Sequence, residues 1–164
     1  MAYTDGPRGV GGWLAFFLLT LAVFGPLLEI AGIVAQLTNP DIARAYGTRW
    51  PAVRTSAVAL SAAGILIGWF IVGRFLLVRN WRTVRIGVAG LWLLCALSIL
   101  VAPLLVSLFG NIPFQALVSQ MIPALVRPIL YSAIWTAYLL RSRRVANTYG
   151  DPDADQAELA RVFR

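Results

Sequence analysis

Three side chains in this chain have both the chemistry and the setting to do more than hold helices together: Glu29, Arg127 and Tyr131. Glu29 and Arg127 each interrupt a long apolar run. An arginine in the middle of a bilayer costs roughly 2.5–3.5 kcal/mol on insertion scales, so it calls for a partner or a task. Glu29 lies 16 residues beyond Trp13, about 24 Å of α-helix. Arg127 lies 14 residues before Arg141, about 21 Å of helix. If both distances start from the same membrane face, the two charges sit at matching depth. Pro26 and Pro128 each remove a backbone donor nearby and free a carbonyl. Tyr131, one turn beyond Arg127, falls on the same helix face. Two readings follow and both stay open. One is a buried ion pair that fixes helix register. The other is a ligand pocket in which an anionic group competes with Glu29 for Arg127.

The rest of the inventory removes most other chemistry. The chain has no histidine and one cysteine, Cys95, inside an apolar run. A disulfide within the chain and an ordinary His/Cys metal site are therefore excluded. So are the usual general base and a Ser–His nucleophile pair. No phosphate-binding glycine loop and no pair of carboxylates facing a span interior occurs. Cys95 reads as a small residue facing the core or lipid. We expect no enzyme activity, no cofactor and no metal.

The elements that must position these residues are transmembrane. Of 164 residues, 59% are hydrophobic and 13% charged, about half the charged share of soluble domains. Mean hydropathy is +0.75. A chain of this length cannot hide so much apolar surface from water, and lipid must cover the remainder. Four apolar stretches, about 13–37, 54–78, 84–109 and 120–140, are long enough to span. The expected fold is all-α, an integral membrane four-helix bundle made of two transmembrane hairpins, over residues 13–141. Residues 1–12 form a short glycine-rich tail, and 142–164 a tail that is basic and then acidic. Thr38 to Pro51 reads as a loop, with Asn39-Pro40 and Trp50-Pro51 as turn signals, and 110–119 as an uncharged one. Gly64 and Gly68 form a GxxxG pair suited to close helix packing. Arg74 lies five residues before Arg79 and can snorkel to headgroups. In the tail, Asp155 and Glu158 resemble a capping box, and Leu159, Val162 and Phe163 share a helical face.

The net charge of +7 is carried by arginines that flank the spans, so it points to a membrane and not to nucleic acid. One side carries Arg8, Arg79, Arg82, Arg85, Arg141, Arg143 and Arg144. The other carries Arg44, Arg49 and Arg54. Both termini are therefore expected on the cytoplasmic side, with the first group meeting lipid headgroups. An internal echo accompanies this arrangement. Gly25-Pro26-Leu27-Leu28 recurs as Ala102-Pro103-Leu104-Leu105, and Arg8 to Gly12 resembles Arg85 to Gly90 at nearly the same offset. A duplicated hairpin and coincidence both account for it.

The last span and the residues after it, Ile134 to Tyr149, resemble the C-terminal signature of the YdgK-like family of small bacterial inner-membrane proteins. The matching positions are Trp135, Tyr138, Ser142, Arg143, Arg144, Val145, Asn147, Thr148 and Tyr149. Gly9 to Leu14 (GVGGWL) resembles that family's opening Gly-Gly-Trp-Leu, and Arg127 matches a basic position before the Trp. The resemblance implies a four-span protein of the bacterial inner membrane, from a family without an assigned activity. Two functions are expected. One is a non-enzymatic interaction or accessory subunit, partnered by membrane lipids and by a larger membrane complex or a second copy. The other is lipid or small-anion binding or transport through a polar pocket around Arg127 and Glu29, in the half of the bundle remote from the seven arginines.

Overall fold

The computed structural model describes residues 8–101, 104, 107–108 and 114–150, with side chains of the last stretch from residue 125 onward. The described residues are predominantly helical, without a strand. Three helices are long and apolar enough to cross a membrane, which points to a membrane location: Trp13–Thr38, Pro40–Leu77 and Trp81–Val101. We label the elements α1 (Trp13–Thr38), α2 (Pro40–Tyr46), α3 (Trp50–Leu77), α4 (Trp81–Val101), α5 (Phe114–Arg141) and α6 (Arg143–Tyr149). The 28 residues of α5 measure about 42 Å along the axis.

Helix α1 begins where Gly12, at φ 57, turns the chain through a left-handed conformation that glycine adopts without steric cost. It is not one uniform helix. Residues Thr20–Phe24 form a π turn, in which the Gly25 N–H reaches the Thr20 carbonyl five residues back. Pro26 is the cause, because it has no N–H to donate to the Ala22 carbonyl. The indole Nε1 of Trp69, on α3, donates to that carbonyl instead, at 3.1 Å. A second π turn, Leu97–Val101, closes the described part of α4, directly before Ala102-Pro103 in the sequence.

The expected loop between Thr38 and Pro51 is largely helical. Asn39 Oδ1 accepts the Asp41 N–H at 2.9 Å and Pro40 occupies the first turn, so Asn-Pro-Asp starts a helix where a turn was read. Gly47, at φ 52, ends α2. A 3₁₀ turn, Gly47–Arg49, leads into α3, which starts four residues before the expected Arg54. Helix α4 starts three residues early, at Trp81, because Asn80 Oδ1 caps the Thr83 N–H at 3.0 Å. Helix α5 starts at Phe114, inside the expected loop 110–119. Beyond α5, Arg143–Tyr149 is a separate helix with Val145 and Tyr149 buried, not an open tail. The capping-box pair and the apolar face expected after Gly150 lie outside the described residues.

Inside a bilayer the hydrophobic effect does not drive helices together, so close fit and hydrogen bonds decide what packs. The close fit concentrates at the arginine-rich end. Leu14, Phe17 and Leu18 of α1, Ile71 and Phe75 of α3, Val84 and Leu91 of α4, Leu139 of α5, and Val145 and Tyr149 of α6 form one buried cluster. Two glycines of α4 make the closest approach. A Cβ on Gly87 would collide with the Phe75 ring, and one on Gly90 would lie 2.5 Å from Ile71 Cδ1. The Phe75 ring is also held edge-on by Phe17 at 5.9 Å and by Tyr149 at 5.2 Å between centroids.

Candidate functional site

A groove of about 510 Å³ opens along the faces of α1, α4 and α5. Glu29, Cys95, Ser98, Arg127, Tyr131 and Ser132 supply its chemistry. Gly25, Glu29, Leu94 and Ser98 also border a second recess of about 320 Å³, whose remaining walls include Leu21, Leu60, Ile65 and Leu97. The two spaces therefore meet at Glu29 and Ser98, and both have predominantly apolar walls.

Glu29 and Arg127 share this groove, but they do not form the direct ion pair expected from their depths. Among the described residues the one ion pair joins Arg44 to Asp41, at 2.8 Å on the surface. Glu29 Oε1 accepts the hydroxyl of Ser61 at 2.5 Å. The reason is direction: Glu29 turns toward α3, and Arg127 extends from α5. Among the described residues Arg127 has neither an ion pair nor a hydrogen bond. Tyr131 shares a hydrogen bond of 2.8 Å with Thr20 Oγ1, in the first π turn, and Ser132 Oγ donates to the Leu91 carbonyl at 3.3 Å. These bonds tie α5 to α1 and α4 along the floor of the groove. Cys95, buried, lies in the same wall.

The GxxxG glycines pack within the molecule. Gly68 is buried, with its Cβ position 3.4 Å from the Leu21 carbonyl, and Gly64 faces Leu94. Arg74 does not reach out as a pure anchor, because its Nε is buried and without a hydrogen-bond partner. Among the described residues no group of three His, Cys, Asp or Glu side chains gathers to hold a metal.

The arginine-rich end has its own construction. Arg8, Arg79, Arg82, Arg85, Arg141 and Arg143 are exposed. Arg144 is half-buried, its guanidinium lying over Gly11 and Gly12, where a Cβ on Gly11 would fall 2.6 Å from Nη1. The Gly9 N–H donates to Thr148 Oγ1 at 2.9 Å, and that hydroxyl donates to the Arg144 carbonyl at 2.7 Å. The Tyr149 hydroxyl donates to the Phe75 carbonyl at 2.6 Å, satisfying one of the acceptors left open at the end of α3. Burial pushes the Tyr149 phenol up to about 12, against the opposing pull of the Arg79 charge. The two stretches singled out for their resemblance, Gly9–Leu14 and Arg143–Tyr149, are thus one packed unit.

Sequence reading missed Ser61, Trp69 and the Gly87–Gly90 pair. A tryptophan deep in a span, away from the interface that suits its indole, was the available signal for Trp69. Gly87 and Gly90, three apart and one helix turn from each other, were the signal for the α3–α4 contact.

Neither a curated protein nor a solved structure matches the chain. A family model does, over residues 7–150, a stretch that takes in both packed ends and the whole groove. The chain belongs to DUF2569, a family described as proteins of unknown function.

Proposed function

We propose that this chain is a four-span protein of the bacterial inner membrane that binds an anionic, lipid-like molecule in the groove between its hairpins. In this reading α5 is the fourth span, the seven-arginine end is cytoplasmic, and the chain is one of the YdgK-like proteins its ends resemble. It performs no catalysis. The observation that carries the reading is Arg127, a cation without a protein partner among the described residues, in a groove that continues into an apolar recess. Glu29, held by Ser61, is turned away from it. A headgroup oxyanion supplies the missing partner through charge-assisted hydrogen bonds, and a hydrocarbon chain suits the recess beside it.

The test is native mass spectrometry of protein released from nanodiscs of mixed phosphatidylglycerol and phosphatidylcholine. Wild type is expected to retain phosphatidylglycerol selectively, Arg127→Gln to lose one bound lipid, and Arg82→Gln to keep it. Equal retention of both lipids by wild type and Arg127→Gln overturns the assignment. An accessory role in a larger membrane assembly is favoured by a different observation. The Pro40–Leu77 segment is the least covered of the three apolar helices, with 11% of its most apolar window buried. A stoichiometric protein co-purifying from native membranes, with no lipid in the groove, supports that role instead.

A further inference from the structure

We infer that Glu29 selects the headgroup of the bound lipid: the groove takes a phosphate diester that brings a hydrogen-bond donor of its own, an ammonium or a hydroxyl. The inference rests on the ligand-binding reading above and narrows its ligand. It follows from where the hydroxyl hydrogens of the groove go. A hydroxyl has one hydrogen to give and two lone pairs with which to accept. Thr20 Oγ1 donates to the Phe17 carbonyl at 2.7 Å, so in its 2.8 Å contact with Tyr131 the phenol is the donor. Ser132 Oγ donates to the Leu91 carbonyl. Ser98 Oγ donates to the Cys95 carbonyl at 2.9 Å and shares its hydrogen with the Leu94 carbonyl at 3.2 Å. Ser61 donates to Glu29 Oε1. Each of these hydroxyls thus directs its hydrogen to the protein itself.

What remains open is unequal. Among the described residues that line the groove, one strong donor is left, the Arg127 guanidinium with its several N–H groups, and Cys95 adds only a weak S–H. The open acceptors are more numerous. They are Glu29 Oε2, which no donor among the described residues reaches, and the lone pairs of Ser98 and Tyr131. A ligand that is only an anion satisfies Arg127 and leaves these acceptors bare. Away from water, a carboxylate with a single hydrogen bond is costly. A headgroup with a phosphate and, a few bonds away, an N–H or O–H satisfies both sides. Glu29 is the acceptor that decides, because it is charged and the bond it accepts is therefore the stronger kind. It also stands where groove and recess meet, beside the apolar walls that suit the acyl chains. Two opposite charges that share a groove without pairing are then explained: each faces a complementary part of one headgroup.

The experiment is competition read by native mass spectrometry, in nanodiscs holding equal amounts of two lipids that differ in the headgroup donor. Phosphatidylglycerol against phosphatidylmethanol compares two anions, one with hydroxyls and one without. Phosphatidylethanolamine against phosphatidylcholine compares two zwitterions, one with N–H groups and one without. Wild type is expected to retain the donor-bearing lipid of each pair on the order of tenfold over its rival, the effect of one hydrogen bond to a charged group. Glu29→Gln keeps an acceptor for Ser61 but turns the free oxygen into an NH2 donor. It is expected to hold phospholipid still, through Arg127, with a ratio near one in both pairs. Equal retention within each pair by wild type that carries bound lipid overturns the selection while leaving the binding reading intact. A preference that survives Glu29→Gln unchanged also overturns it. Wild type that retains none of the four lipids removes the binding reading and the selection with it.

Discussion

At its arginine-rich end the molecule interlocks ring on glycine: Phe75 fills the notch at Gly87, Ile71 the notch at Gly90, and α6 closes beneath them through Tyr149. Beyond the first π turn α1 still packs along α3, but among Gly25–Thr38 only Pro26 is buried, and the Glu29–Ser61 hydrogen bond joins the two helices. Composition alone does not explain the difference, since both halves are predominantly apolar. In lipid, apolarity alone gives no contact an advantage. What separates the halves is where small residues let backbones approach, and where prolines and the π turns they impose keep them apart. The charged groups of the groove sit in the loosely held half, where a ligand competes with weak contacts.

The sharpest way to break this comparison is to overfill the two halves equally. Gly87→Leu is expected to cost about 3 kcal/mol, the upper range for overpacking, because Phe75 is pinned on both sides and cannot step back. Gly32→Leu, at a site with nothing within 4 Å, is expected to stay within about 0.5 kcal/mol of wild type. Thermal melting in detergent reads both; similar losses would erase the distinction. Tyr149→Phe removes the donor to the Phe75 carbonyl and is expected to cost about 1–2 kcal/mol in denaturant titration. Ser61→Ala, in the open half, is expected to cost less than half as much, since the Glu29 carboxylate borders the groove and can turn into it. Thr148→Val removes the acceptor for the Gly9 N–H, an effect of about 1 kcal/mol. It should show as faster proteolytic clipping before Trp13, with melting of the remaining helices nearly unchanged.

The smallest effect is a pH dependence. The Tyr149 phenol, pushed up to about 12, ionises later than a free tyrosine near 10. A raised folded-state value means that its contribution is complete below pH 10 and is lost as pH rises from 10 through 12. Docking of α6 should therefore be flat across neutral pH and weaken only in that alkaline window. Phenolate absorbance of wild type minus Tyr149→Phe checks this, and a titration near 10 would show α6 to be loosely seated.

The proximity of Glu29 and Arg127 was legible in the sequence and the direction of their side chains was not. Hydropathy located α1, α3 and α4, and residue counts put Glu29 and Arg127 in the same groove. Which way Glu29 turns depends on the helix rotation that the π turn introduces, and no count along the chain reveals that; hence Ser61 went unseen. Asn39-Pro40-Asp41 was misread because the same residues start turns and cap helices, and only the following chain distinguishes the two. Helix α6 was hidden by charge: three arginines in and around seven residues look like a solvated tail until Val145 and Tyr149 are seen to face inward.

The contact between Gly9 and Thr148 spans 139 residues, which sets a timetable for making the protein. At bacterial and eukaryotic synthesis rates the interval between those residues leaving the ribosome is on the order of ten seconds. Through that interval the Leu14–Phe17 face of α1 has no Tyr149 or Val145 to close against, and α3 ends in an unfilled carbonyl acceptor. The tightest half of the finished molecule is thus the last to be completed. A ribosome stalled before α6 would present the membrane insertion machinery with hairpins already in lipid and their seal still unmade.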